Sequence, residues 1–323
     1  MSAPRTPPLP GSGRAGGHGT AWVAGTVRAR SLAGRRLGAG AARGLAASAS
    51  LEDATAALAA TPYRHGVRAG QDLAGAQRGV TLTLLWHLRV LAGWVPREGG
   101  RMLRLLAGWF EIANVDDLLQ QMAGRQAEEP LPLGALATAW PRCAHARSPA
   151  ELRATLAASP WGDPGGEAAW EVQLGMRLSW TARLSRLARV APWASGAAAL
   201  LVARERFVAG RELSATLHGQ ATRLLGRDAL AATSLAELGQ RLPSRAGWPL
   251  TGVEDPVDLW RAEAGWWSRV ERDGLELLAA ARVGAAPVLG AVAVLGADAQ
   301  RVRAALEVAA RGGQPLEVLD ALA

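Results

Sequence analysis

Three segments of this chain repeat one local pattern, and the pattern can only be helical. Residues 50–63 read SLEDATAALAATPY and residues 148–161 read SPAELRATLAASPW. The register holds throughout: Ser50 and Ser148, Asp53 and Glu151, Leu58 and Leu156, Pro62 and Pro160, Tyr63 and Trp161 are each 98 positions apart. A third copy begins at Ser234 (SLAELGQRL), sets Glu237 and Leu242 against Glu151 and Leu156, and reaches Trp248 after a one-residue slip. Each copy opens with Ser-x-x-Asp/Glu, a capping box, in which the hydroxyl accepts a first-turn N–H and the carboxylate reaches back to the cap residue's own N–H. In the first two copies a Ser/Thr-Pro pair then stops the helix, because the residue before proline is driven out of the αR region. The closing aromatic is expected to pack over the helix end. Repetition at such spacing implies one supersecondary unit used three times. The reading is therefore three related helical domains, 20–145, 146–232 and 233–323, preceded by a Pro/Gly/Ser-rich disordered arm over 1–20.

Between the repeats the apolar period stays near 3.6. Leu105, Trp109, Ile112, Leu119 and Met122 form one stripe of a helix expected from about Arg101 to Ala123. Trp180, Leu184, Leu187 and Val190 form another, and Val257, Trp260, Ala264 and Trp267 a third, with Asp255 and Pro256 in cap and first-turn positions. Alternating β-branched runs and Asn-Gly or Asp-Gly hairpin signals are missing. VTLTLLWHLRV (80–90) alternates briefly, but its leucines and the stop at Pro96 favour helix. The fold class is all-α. Leu277–Gly296 is apolar enough to raise a membrane span, yet Arg282 alone costs ~2.5–3.5 kcal/mol on insertion and the small residues around it return little. It reads as a buried helix, a proline-containing bend and a second short segment.

Composition removes several chemistries. All 36 cations are arginine and none is lysine, so a Walker A loop, a Schiff-base or pyridoxal-phosphate enzyme and a protein kinase are excluded. With abundant Ala, Gly and Pro and 13 Trp against one Tyr, the arginine excess reflects coding bias and is discounted as a nucleic-acid signature. The net charge of +8 still favours an acidic partner. A lone cysteine, Cys143, rules out a disulfide framework and fits a reducing compartment.

No catalytic or metal constellation emerges. The five histidines, His18, His65, His87, His145 and His218, include no i, i+4 pair and no H-E-x-x-H. Cys143 near His145 cannot alone make a tetrahedral zinc site and reads as a helix-packing thiol. Gly38–Gly44 lacks the spacing and the preceding strand of a dinucleotide loop. The acidic pairs Asp116-Asp117 and Glu128-Glu129 read as solvated. No cofactor is implied, and the chain reads as non-catalytic.

Several motifs together resemble the C subunit of V-type rotary ATPases, the counterpart of eukaryotic subunit d. They are Trp22-x5-Arg28-x-Arg30, Leu51–Tyr63 (LEDATAALAATPY), Trp109–Arg125 (WFEIANVDDLLQQMAGR), Leu131–Ala137 (LPLGALA), Leu295–Arg311 and the tail Leu316–Leu322. The chain departs from the family at Ala194–Arg204 (ASGAAALLVAR), which lacks the family's acidic residue and Asn-Leu-Arg, and at Gln120-Gln121, where relatives are basic.

The resemblance implies three helical domains in a pseudo-threefold funnel. It also implies a non-catalytic central-stalk socket, joining the rotating axle subunits to the proteolipid ring and transmitting torque for ATP-coupled proton or Na+ transport. Its place would be peripheral, on the cytoplasmic face of the plasma membrane, without nucleic acid. Exposed arginines in loops between helices, Arg64, Arg68, Arg97 and Arg101, are the expected ring contacts. The alternative, carried by the charge alone, is a basic α-helical nucleic-acid-associated or regulatory protein.

Overall fold

A computed structural model describes residues 15–280 and 282–312. Among them every regular element is a helix. The order is α1 (Ala15–Ala33), α2 (Gly38–Ala46), α3 (Leu51–Ala59), α4 (Leu73–Ala92), α5 (Arg97–Leu106), α6 (Gly108–Met122), α7 (Trp140–Cys143) and α8 (Pro149–Ala157). Then follow α9 (Ala169–Leu184), α10 (Ala191–Ala203), α11 (Ala215–Leu225), α12 (Arg227–Leu230), α13 (Leu235–Arg241), α14 (Ser244–Gly247), α15 (Leu259–Ala279) and α16 (Ala285–Ala310). No helix among these residues is long and apolar enough to cross a membrane.

The three serines start equivalent helices. Ser50, Ser148 and Ser234 sit in extended backbone and their Oγ atoms accept from Asp53 N (3.1 Å), Glu151 N (3.2 Å) and Glu237 N (3.2 Å). The other half of the box is corrected. Glu151 accepts from Arg147 N (2.8 Å) and Glu237 from Thr233 N (2.5 Å), one residue before the cap, while Asp53 takes the Ser50 hydroxyl (2.7 Å). Glutamate's extra methylene carries its carboxylate past the cap, and the shorter aspartate stops at the hydroxyl. Replacing any one of the three serines with alanine should cost ~0.5–2 kcal/mol, read as a lower midpoint at unchanged m in urea unfolding.

The first two copies also end alike. Thr61 and Ser159 each donate back to the leucine three residues earlier (Leu58 O, 2.6 Å; Leu156 O, 2.7 Å) and accept from the aromatic's N–H two residues on (3.2 and 3.1 Å). The hydroxyl and the following proline thus stop the helix together and fix where Tyr63 and Trp161 point.

Other expectations are revised. The helix expected over 101–123 is two, α5 and α6, joined at Ala107. Trp180 Nε1 donates to Leu105 O (2.7 Å), in the last turn of α5 beside the break. The third stripe holds in part: Ala264 is buried and Trp267 faces the long helices' pocket, whereas Val257 is 73% exposed and the inward face also takes in Leu259, Ala262 and Val270. Asp255 caps only a 3-10 turn, Pro256–Asp258, before α15 begins, which shifts the register. The second segment of Leu277–Gly296 is the start of the 26-residue α16, and Pro287 lies in its first turn, where a missing N–H costs nothing. Of the expected disordered arm, residues 1–14 lie outside the described residues; 15–20 belong to α1, since extending a helix already nucleated on Trp22–Leu32 adds one bond per residue fixed. The tail Leu316–Leu322 also lies outside the described residues.

The core joins the two ends of the chain. Ala299, Val302, Ala305, Leu306, Val308 and Ala309 of α16 share one cluster with Ala42, Leu45, Leu58, Tyr63 and Val80. Nearer its start, Val288, Ala291 and Leu295 pack with Ala29, Leu32, Leu88 and Leu91. α4 and α16 therefore run antiparallel, with α1 and α2 against them.

Candidate functional site, an apolar pocket between the long helices

Side chains of α4, α6, α9, α10, α15 and α16 converge on one pocket with a cavity volume of about 150 Å³. Five tryptophans line it: Trp109, Trp180, Trp193, Trp266 and Trp267. The indole N–H groups of three are tied off within the fold, Trp180 to Leu105 O, Trp193 to Asp273 Oδ2 (2.8 Å) and Trp266 to Trp193 O (2.9 Å). Trp266 and Trp267 pack edge to face with centroids 4.8 Å apart. The rings are thereby held in fixed orientations and present carbon to the pocket. Thr81 and Thr181 also line it, but their hydroxyls return to their own helices, at Gln77 O and Leu178 O. Trp109, read from sequence as a stripe residue, is 41% exposed.

The helices around the pocket are fastened by two buried carboxylates that the sequence reading did not single out. Asp298 of α16 accepts from Leu37 N (2.9 Å) and Gly38 N (2.8 Å) at the start of α2, and from the Tyr63 phenol (2.8 Å). Glu111 of α6 accepts from Thr138 N (2.5 Å) and Ala139 N (2.7 Å) just before α7, and from Trp161 Nε1 (2.6 Å). The first two repeats thus end on the same joint: the closing aromatic donates to a carboxylate that also takes the two backbone N–H groups leading into a short helix. Burial first, then the Asp298 charge, hold the Tyr63 phenol well above its ordinary range, so it stays a donor. The third repeat lacks the joint. Trp248 donates to Pro192 O (3.2 Å), and its ring lies against Gly196 of α10, in the segment where the acidic signature was already missing.

The four arginines do not form one patch. Arg97 and Arg101 are exposed on the first turns of α5, beside Trp22, whose Nε1 donates to Glu98 Oε1 (2.9 Å). Arg64 and Arg68 are exposed in the turn after α3, with Arg68 Nη1 donating to Arg64 O. That turn packs on Gly79 of α4, about 20 Å of helix rise before α4 ends. Arg97 and Arg101 instead share their end of the molecule with four exposed apolar side chains: Val23, Val27, Trp94 and Val283. Gly284 N donates to Thr26 Oγ1 (3.1 Å), which sets Val283 beside α1, and the Arg28 guanidinium lies over the Trp94 ring.

Two dismissed groups prove instructive. Asp116 is not solvated: burial pushes its pKa up to about 6 against the pull of Arg177 (3.0 Å). That carboxylate sits in an ion pair between α6 and α9. Cys143 is fully buried, and desolvation, with Glu111 nearby, raises its pKa to about 12, which keeps it a neutral thiol at neutral pH. Among the described residues no group of three or more His, Cys, Asp or Glu could hold a metal ion. No protein-family model matches the chain, and no curated protein is significantly similar to it.

Proposed function

We propose that the chain is the central-stalk socket of a rotary V-type ATPase, seating an apolar helical end of the axle in the tryptophan-lined pocket and resting its opposite end on the proteolipid ring. The observation that carries the reading is the pocket: six long helices from across the chain surround it, and it is open and lined almost wholly by carbon. Such a cavity suits the apolar side chains at the tip of a docked helix and offers no group arranged for chemistry. The Tyr63–Asp298 and Trp161–Glu111 joints support the same reading, since a torque-bearing part needs its repeats locked to one another, and α16 packing on α1, α2 and α4 closes the ends of the chain together. The ring-facing end would be the Val23, Val27, Trp94 and Val283 patch with Arg97 and Arg101, and Arg64 and Arg68 drop out of that role. Many arginines are engaged within the fold, over Trp94, Trp161, Trp170 and Trp248 or in ion pairs, so the +8 charge is not laid out as a nucleic-acid stripe.

The test is reconstitution. Leaving this chain out of the assembled complex should abolish ATP-driven ion pumping while the detached ATPase sector still hydrolyses ATP. Pumping at full rate without it would end the socket reading.

A further inference from the structure

One wall of the pocket is not apolar. α16 lines it with Leu289, Val292, Ala293, Gly296 and Ala299, and then with Gln300 and Arg303. Arg303 is the one charged residue in the lining, and among the described residues neither it nor Gln300 makes a hydrogen bond or ion pair. The acid one turn further along, Glu307, is already held by Gln77 Nε2 (3.0 Å) and Arg311 (3.6 Å). Burial lowers the Arg303 pKa and the Glu307 charge opposes it, but no hydrogen bond or ion pair ties the guanidinium to that acid. Arg303 is only partly buried, and a carboxylate can meet a guanidinium through two parallel hydrogen bonds. With a single cation, an amide donor three residues before it on the same helix and carbon elsewhere, the lining is complementary to one anionic group on an apolar chain.

We propose that the pocket binds a linear monocarboxylate amphiphile of the medium-chain fatty-acid type, with its carboxylate on Arg303 and Gln300 and its chain along the tryptophan wall. The proposal is tested on the isolated chain; in the socket reading the amphiphile and the axle would compete for this pocket, so loss of either does not decide the other. A cavity of about 150 Å³ elsewhere takes a benzene-sized guest, and octanoate is the probe because its short chain can enter such a volume at one end while the pocket stays open at the other.

The full chain would be titrated at pH 7 with octanoate, 1-octanol and octylammonium, following tryptophan fluorescence and calorimetric heat. Octanoate should bind at least tenfold more tightly than the other two. Arg303→Gln should remove that advantage while leaving octanol binding unchanged, and Arg303→Lys should restore part of it. Octanoate binding no tighter than octanol, failure of all three to bind, or an Arg303→Gln protein that binds octanoate as the parent does would each overturn the proposal. Should Arg303→Gln fail to fold, the three-ligand comparison on the parent and the Arg303→Lys protein still decide.

Discussion

Asp298→Ala should destabilise the protein by about 3–5 kcal/mol. The carboxylate is fully buried and gathers three donors from two separate stretches of chain: Leu37 N, Gly38 N and the Tyr63 hydroxyl. Alanine leaves all three facing a hole, and an orphaned buried donor costs ~1–3 kcal/mol where water does not reach it. Arg301, 3.9 Å away, would not add a fourth loss, because it is held independently by Glu271 through both of its terminal nitrogens. Tyr63→Phe removes one donor together with its demand and should cost only ~1–2 kcal/mol. Glu111→Ala empties the equivalent joint and should fall in the same range as Asp298→Ala. Trp248→Phe, in the repeat without a carboxylate, gives up a single bond to a carbonyl and should behave like Tyr63→Phe. Urea unfolding of the four variants orders them. An Asp298→Ala loss below about 1 kcal/mol would mean that water replaces the carboxylate and that the joint fastens nothing.

That joint also marks where the sequence stops being readable. The serine boxes are visible because donor and acceptor stand three residues apart, and all three serines cap as their spacing requires. The aromatics that close the repeats are visible for the same reason, as residues following a Ser/Thr-Pro stop. Their partners are not. Tyr63 and Asp298 are 235 positions apart and Trp161 and Glu111 are 50, and a lone acid in a helical segment looks like any solvated residue until the chain is folded. The one available sign was composition: Asp298 interrupts LGADAQRV and Glu111 interrupts GWFEIAN, stretches otherwise apolar enough to be buried. The pocket has a similar history. Trp180 and Trp267 were assignable to apolar stripes by period, but period cannot say whether a stripe faces a filled core or an open cavity. Trp109, on the same kind of stripe, is exposed at the pocket.

Gly175→Ala should cost about 3 kcal/mol although alanine is the better helix former, because at this position another backbone occupies the space of a side chain. A Cβ on Gly175, mid-way along α9, would stand 2.0 Å from Pro164 O and 2.6 Å from two more backbone atoms of that residue. The loop carrying Pro164 cannot swing aside. Asp163 is held by both Arg153 nitrogens (2.9 and 3.1 Å) and gives its carbonyl to Gln220 (2.8 Å). On the other side Gly165 holds a φ of +100° and accepts from Ser214 Oγ (2.9 Å). The same crossing occurs one repeat earlier, where a Cβ on Gly79 of α4 would stand 2.5 Å from Gly66 O. In both repeats the residue three after the closing aromatic, Gly66 or Pro164, lays its backbone on a glycine of the next long helix. In the third repeat the close glycine crossing is instead between two long helices, Gly274 of α15 against Gly290 of α16, while Gly265 of α15 is exposed with nothing within 4 Å of its would-be Cβ. Gly265→Ala should therefore stabilise the protein by ~0.5–1 kcal/mol through helix propensity alone. The two substitutions make the same chemical change in the interiors of two long helices, so opposite signs in urea midpoint would isolate the crossing as the cause. A Gly175→Ala protein as stable as the Gly265→Ala protein would show that the loop yields, and that its crossing on the next long helix does not fix the geometry of the first two repeats.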